Sequence, residues 1–267
     1  MIDTHCHLEQ PEYDTDRDAL IARCKQELDA VITSCAHPKD FELTMQLVDQ
    51  HKNFVYATAS IHPIYVKEMS EQQKRDYFES IRQNSDKLVA IGECGTDYWH
   101  VKESRWRDAQ KRLFIELIDL ADELGLPLVV HARNGPDAHA VEDAVEILEQ
   151  QGAKRVQMHM FTSRQLLQRV LGNGWFVSVN TLLLRSKSVK KIVRDCPLER
   201  LMLETDAPWL AVGEDGTIKE LREKRNEPIA VKLVAKKIAE IKKIGIDTVD
   251  KQTTENAKKF FEIRCLI

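Results

Sequence analysis

Long apolar runs are missing from this sequence. No segment approaches the roughly 18 uninterrupted apolar residues of a membrane span, so neither a transmembrane helix nor a membrane partner is expected. The first predicted strand begins at Ile2, which leaves no room for a signal peptide. No Gly/Ser/Pro-rich seam, literal repeat or low-complexity tract interrupts the chain, so a single domain over 1–267 is expected. The six cysteines (Cys6, Cys24, Cys35, Cys94, Cys196, Cys265) form no C-x-x-C pair. Scattered over strand and apolar helix positions, they read as reduced, buried thiols and point to the cytoplasm. Basic charge is not in excess either. At a net charge of −4 the protein as a whole does not attract nucleic acid, and a polyanionic substrate needs bound cations and local Arg or Lys.

What is present is a regular alternation. At 267 residues the chain has the size of one α/β barrel, about 250 residues. Short runs rich in Val, Ile and Leu predict strands over 1–6, 30–35, 54–60, 87–93, 127–131, 155–159, 175–179 and 200–205. Helical spacing fills the intervals over 16–28, 39–51, 71–83, 106–124, 137–150, 163–171 and 187–194. Two further amphipathic stretches, 228–243 and 247–263, follow and are expected to complete closure. Eight strands alternating with about eight helices predict a (β/α)8 TIM barrel. The highly charged run 219–228 is expected to be a loop following strand 8.

Six potential metal ligands sit where the apolar runs stop: His5, His7, Glu93, His131, His159 and Asp206. His5 and His7 are two apart on a strand and project to one face, while Cys6 points the other way. A buried histidine pair needs partners, and both a divalent metal and hydrogen bonds satisfy that need. A carboxylate at Glu93 suits a bridge between two cations, but equally a salt bridge or helix cap. His131 and His159 taken singly are compatible with structural histidines, and Asp206 with a turn-forming residue. Together they place four imidazoles and two carboxylates at the C-terminal strand ends, the face on which barrel active sites lie. The mixed N/O set suits Zn²⁺ or Mn²⁺ and tolerates Mg²⁺.

The motifs DTHCHL (3–8), IHP (61–63), AIGECGTDY (90–98), PLVVHAR (127–133), HMFTS (159–163), LETDAPWL (203–210) and RNEP (225–228) closely resemble, in order and spacing, the TatD-type deoxyribonuclease family of amidohydrolase-like barrels. The resemblance runs to about residue 262. It implies a two-metal site, with His5, His7 and Asp206 on one ion, His131 and His159 on the other, and Glu93 bridging. It also implies two divalent cations, Mg²⁺ or Mn²⁺, and removal of nucleotides from DNA ends. Three departures, Met160-Phe161-Thr162-Ser163 for CFSG, Thr96 within GTDY and Ser60-Ile61 before His62, spare every ligand and fall on the rim.

The expected chemistry is two-metal hydrolysis of a phosphodiester, with Glu93 and Asp206 catalytic and Asp206 orienting the attacking water. Arg133 is the candidate phosphate contact and His62 a candidate to line the mouth; salt-bridge or packing roles carry equal weight for both. Rim packing is expected for Tyr98, Trp99 and Trp209 before base stacking, and solvation for Lys187, Lys190 and Lys191. An ester or amide hydrolase, such as a D-aminoacyl-tRNA deacylase, would use the same centre with a different rim. A degenerate barrel acting as an interaction protein would have no reason to keep six costly polar groups together.

Overall fold

The computed structural model describes residues 1–213, 217–220 and 223–263. Eight parallel strands occur in sequence order around one sheet: β1 (Ile2–Cys6), β2 (Ala30–Cys35), β3 (Val55–Ala59), β4 (Leu88–Asp97), β5 (Leu128–Arg133), β6 (Val156–Met158), β7 (Phe176–Val179) and β8 (Leu201–Leu203). Beyond the last strand the backbone turns back onto the first. Asp206 N–H donates to His5 O at 2.9 Å and His7 N–H to Ala207 O at 2.7 Å, which closes a TIM barrel. Seven helices alternate with the strands: α1 (Arg17–Glu27), α2 (Phe41–Gln50), α3 (Glu71–Gln83), α4 (Ser104–Leu124), α5 (Ala140–Gln150), α6 (Leu167–Gly172) and α7 (Lys187–Asp195). They are followed by α8 (Val231–Lys242) and α9 (Ile246–Phe261).

Local chemistry explains the boundaries. A capping box between Ser70 and Gln73 opens α3. At the end of α4, Gly125 adopts φ +66° and Pro127 forbids continuation, so the chain turns directly into β5. The strands are buried on both faces, which is why they read as continuous apolar runs rather than as alternating ones.

The barrel interior is stratified. Its floor is apolar: Ile2, Ala30, Ile32, Ala90, Val129 and Met202 pack with Phe260 and Phe261 of α9. Above it lies a buried polar layer. Ser34 pairs with Thr58 at 2.9 Å, and the Gln157 amide donates to Thr4 Oγ1 at 3.1 Å and to Ser178 Oγ at 2.8 Å. The candidate ligands form the mouth. The expectation that C-terminal helices complete closure is corrected: the backbone after β8 closes onto β1, and α9 packs against the floor instead.

Several strand ends differ from the sequence reading. β6 stops at Met158 and β8 at Leu203, so His159 and Asp206 lie just past them, whereas β4 continues four residues beyond Glu93 to Asp97. The described cysteines, Cys6, Cys24, Cys35, Cys94 and Cys196, are free and buried, and Cys265 lies outside the described residues. Of the charged run 219–228, residues 221 and 222 also lie outside. Its end is tied to the start of α1, where Arg225 pairs with Asp16 at 2.6 Å and Tyr13 OH donates to Asn226 O at 2.7 Å. Among the described residues, no helix is long and apolar enough to cross a membrane.

Candidate metal centre

Two irregularities in the sheet create the centre. Between β1 and β2 the register runs Asp3 to Val31 and then Cys6 to Thr33, so β1 contains one extra residue. Between β4 and β5 it runs Gly92 to Val129 and then Cys94 to Val130, which inserts Glu93. Bulges of this kind re-aim a side chain without ending the strand. On β1 the bulge turns both Thr4 and His5 inward, and on β4 it delivers Glu93 to the lumen from mid-strand. Gly95 permits the close approach that follows: its φ is +133°, and a Cβ there would lie 2.1 Å from the His131 carbonyl oxygen.

The six candidate ligands converge. His5 Nε2 and His7 Nε2 are 3.2 Å apart, and Asp206 Oδ1 is 3.8 and 3.5 Å from them. The Glu93 carboxylate divides the cluster. Its Oε1 lies 3.5 Å from both His5 Nε2 and His7 Nε2. Its Oε2 faces His159 Nε2 at 3.4 Å, His131 Nδ1 at 3.5 Å and His62 Nε2 at 3.9 Å. Three overlapping sets, His5/His7/Asp206, His5/Glu93/His159 and His62/Glu93/His131, each hold their donor atoms within 4.8 Å of one another. Donors about 2.0–2.2 Å from a common cation stand about 3–3.5 Å apart at angles near 90–110°. The shorter separations match that spacing, and the N/O donor set fits a divalent ion.

The nitrogens turned away from the centre carry the support that metal-binding histidines need. His7 Nδ1 meets Glu9 Oε1 at 3.2 Å, His159 Nδ1 meets Glu204 Oε2 at 2.9 Å, and His131 Nε2 meets Asp97 Oδ2 at 3.1 Å. These buried carboxylates went unassigned in the sequence reading. The signal was present, since each lies inside or beside a motif (HLE, GTDY, LETD), but only the fold shows which imidazole each one serves. Burial works against protonating His159, yet Glu204, Glu93 and Asp206 outweigh it and lift its pKa to about 9. Burial likewise opposes charge on Glu93, but His5, His62 and His131 hold its carboxyl well below the usual range.

The comparisons with known proteins follow this geometry. The family profile described as TatD related DNase matches residues 2–262. The chain belongs to that family. It is 34% identical to the metal-dependent hydrolase YabD of Bacillus subtilis, over 98% of this chain and 99% of that protein. It is 31% identical to the human protein named deoxyribonuclease TATDN3, over 98% and 94% respectively. Its fold superposes on the crystal structure of YJJV, a TatD homologue from Escherichia coli K12, with a TM-score of 0.86 at 22% identity, over 99% and 98% of the two chains. The protein is thus a TatD-family metal-dependent hydrolase with a TIM-barrel fold.

On the rim of this TatD-type centre, Arg133 ends β5 half-buried, its guanidinium 5.3 Å from the ring centroid of exposed Trp99. His62 is buried, with its ring 4.4 Å from that of His131, and burial together with the His131 charge pushes its pKa down to about 3. Tyr98 is buried and donates to Asp143 at 2.6 Å, while Trp209 packs edge-on against His7 at 4.8 Å. Both therefore pack on their own surroundings, and Trp99 is the aromatic left open.

Proposed function

We propose that this chain hydrolyses phosphodiester bonds of DNA at strand ends in the cytoplasm, using two divalent cations, Mg²⁺ or Mn²⁺, with Zn²⁺ compatible with the donors. The observation that carries the reading is Glu93: its two oxygens face separate groups of imidazoles, Oε1 toward His5 and His7, Oε2 toward His131 and His159. The family description and the name of the human relative support DNA as substrate. In this reading His5, His7 and Asp206 hold one ion, His131 and His159 the other, and Glu93 bridges. When bound, the cations supply Lewis acidity and a nucleophilic water at neutral pH.

The remaining work falls to the chain itself. Asp206 is the most solvent-open of the six, with its side chain 16% exposed against 1–9% for the others, so it can orient the attacking water and accept its proton. Arg133, at the mouth, grips a non-bridging phosphate oxygen pair. His62 remains neutral at physiological pH and lines the mouth as a hydrogen-bonding group rather than a cation.

Glu93→Gln keeps the volume and removes the bridging charge. Its cleavage of end-labelled oligonucleotides in Mn²⁺ should fall by more than about 100-fold, beyond what outer-shell changes produce. Retained activity refutes the bridge. Wild-type cleavage of closed circular DNA as fast as of linear DNA refutes action at ends, and turnover of carboxyl esters without DNA cleavage refutes the phosphodiester assignment.

A further inference from the structure

The three supporting carboxylates are not held alike. Glu204 accepts from Ser178 Oγ at 2.5 Å and from Met160 N–H at 2.8 Å. Glu9 accepts from Thr33 Oγ1 at 2.7 Å and the Gln10 amide at 3.1 Å. Asp97 is instead clamped by His100, whose backbone N–H reaches Oδ1 at 2.8 Å and whose ring Nδ1 reaches Oδ2 at 2.8 Å. That Oδ2 is the oxygen His131 Nε2 meets at 3.1 Å. Asp97 and His131 are buried, while the His100 side chain is 51% exposed.

From this chain of contacts we infer that His100 is a positioning residue of the metal centre. By clamping Asp97 it holds His131 in the Nε2–H tautomer, so that Nδ1 is the nitrogen turned toward Glu93. Two features make the clamp effective. Asp97 forms the last ladder pair of β4, with Arg133, so no further strand pairing lies beyond it to hold its carboxylate. Two donors from one residue fix both of its oxygens, which a single hydrogen bond cannot do. The same turn is pinned to β5 by Tyr98 N–H donating to Arg133 O at 2.9 Å, and it carries Trp99 beneath the Arg133 guanidinium. One short segment thereby sets two β5 side chains that point into the mouth. Glu9 and Glu204 are anchored by hydroxyl, amide and backbone donors, whereas on the β4–β5 side a solvent-facing imidazole stands one carboxylate away from a candidate ligand.

The inference rests on the reading of His131 as a ligand, and the test separates the two. Mn²⁺ affinity is measured by calorimetry on the full chain, and the His131 ring tautomer is read by ¹⁵N NMR on the metal-free protein at a pH high enough for that ring to be neutral. His100→Ala should weaken Mn²⁺ binding by about 10-fold, the low end for outer-shell partners, and turn the single His131 tautomer into a mixture at an unchanged melting temperature. His100→Asn, which places an amide N–H where Nδ1 donates, should restore both. Wild-type affinity and a single tautomer in His100→Ala overturn the inference, as does failure of a folded His100→Asn to rescue. Wild-type Mn²⁺ affinity in His131→Ala overturns instead the assignment of His131 as a ligand.

Discussion

Metal binding at this centre should be paid for in protons, and His159 gives the scale of the effect. Its pKa stands at about 9 because Glu204, Glu93 and Asp206 outweigh the burial that disfavours the charge. At pH 7 the metal-free protein therefore carries a proton on His159, and a cation at Nε2 must displace it. The two-unit gap weakens binding about 100-fold, or roughly 2.7 kcal/mol. His7 and His131 act in the same direction: burial opposes their protonation, but Asp206 and Glu9 raise the first, and Asp97 and Glu93 the second. Mn²⁺ affinity should thus climb by about 50-fold or more between pH 7 and 9, and calorimetry in buffers of different ionisation enthalpy should show release of about one proton or more at pH 7. The sign for stability follows from linkage. A raised folded pKa contributes fully below the ordinary value of 6.5 and fades as pH rises through about 9, a loss near 3 kcal/mol from His159 in the metal-free protein. His5 and His62, pushed down mainly by burial, act only below 6.5 and in the opposite sense. A Mn²⁺ affinity that is flat from pH 7 to 9, without proton release, refutes this account.

Other perturbations probe separate layers of the molecule. Gly95→Ala forces a side chain into φ +133° and against the His131 carbonyl, which should cost about 1–3 kcal/mol and loosen His131; unchanged thermal melting would show that the close approach is not needed. Glu204→Gln keeps an acceptor near His159 but removes its charge, and Mn²⁺ affinity should drop about 10- to 100-fold in titrations at pH 9, where proton competition at His159 is largely relieved, with an unchanged Kd counting against the His159–Glu204 pairing. Phe261→Ala empties part of the barrel floor and should destabilise by about 3–5 kcal/mol in urea unfolding while leaving activity per folded molecule intact, since the floor lies at the opposite end from the mouth. Activity lost in step with no change in stability would contradict that separation.

Much of this architecture was legible beforehand because it rests on local signals. Apolar runs spaced by amphipathic segments mark β/α units whatever their partners, so eight strands in barrel order followed from patterning. The polar residues ending those runs drew His5, His7, Glu93, His131, His159 and Asp206 together as one group. The same reading placed Glu93 at a strand end, yet β4 runs on to Asp97. A bulge is a relation between two strands, and a single strand's sequence does not show the extra residue. Glu9, Asp97 and Glu204 escaped for a related reason. A lone carboxylate within a motif has many uses, and its choice of imidazole depends on which strands stand side by side.

By itself, then, the sequence determined the repeating unit, the ligand types and the end of the barrel on which they collect, since all three depend on side-chain chemistry and periodicity along the chain. Tertiary structure alone decided that Glu93 turns its two oxygens to different imidazoles, that three histidines each lean on a buried acid, and that His100 reaches one of those acids from the surface. Those outcomes depend on register and closure, which bring together groups as far apart as His5 and Asp206 and are set only when all eight strands are in place.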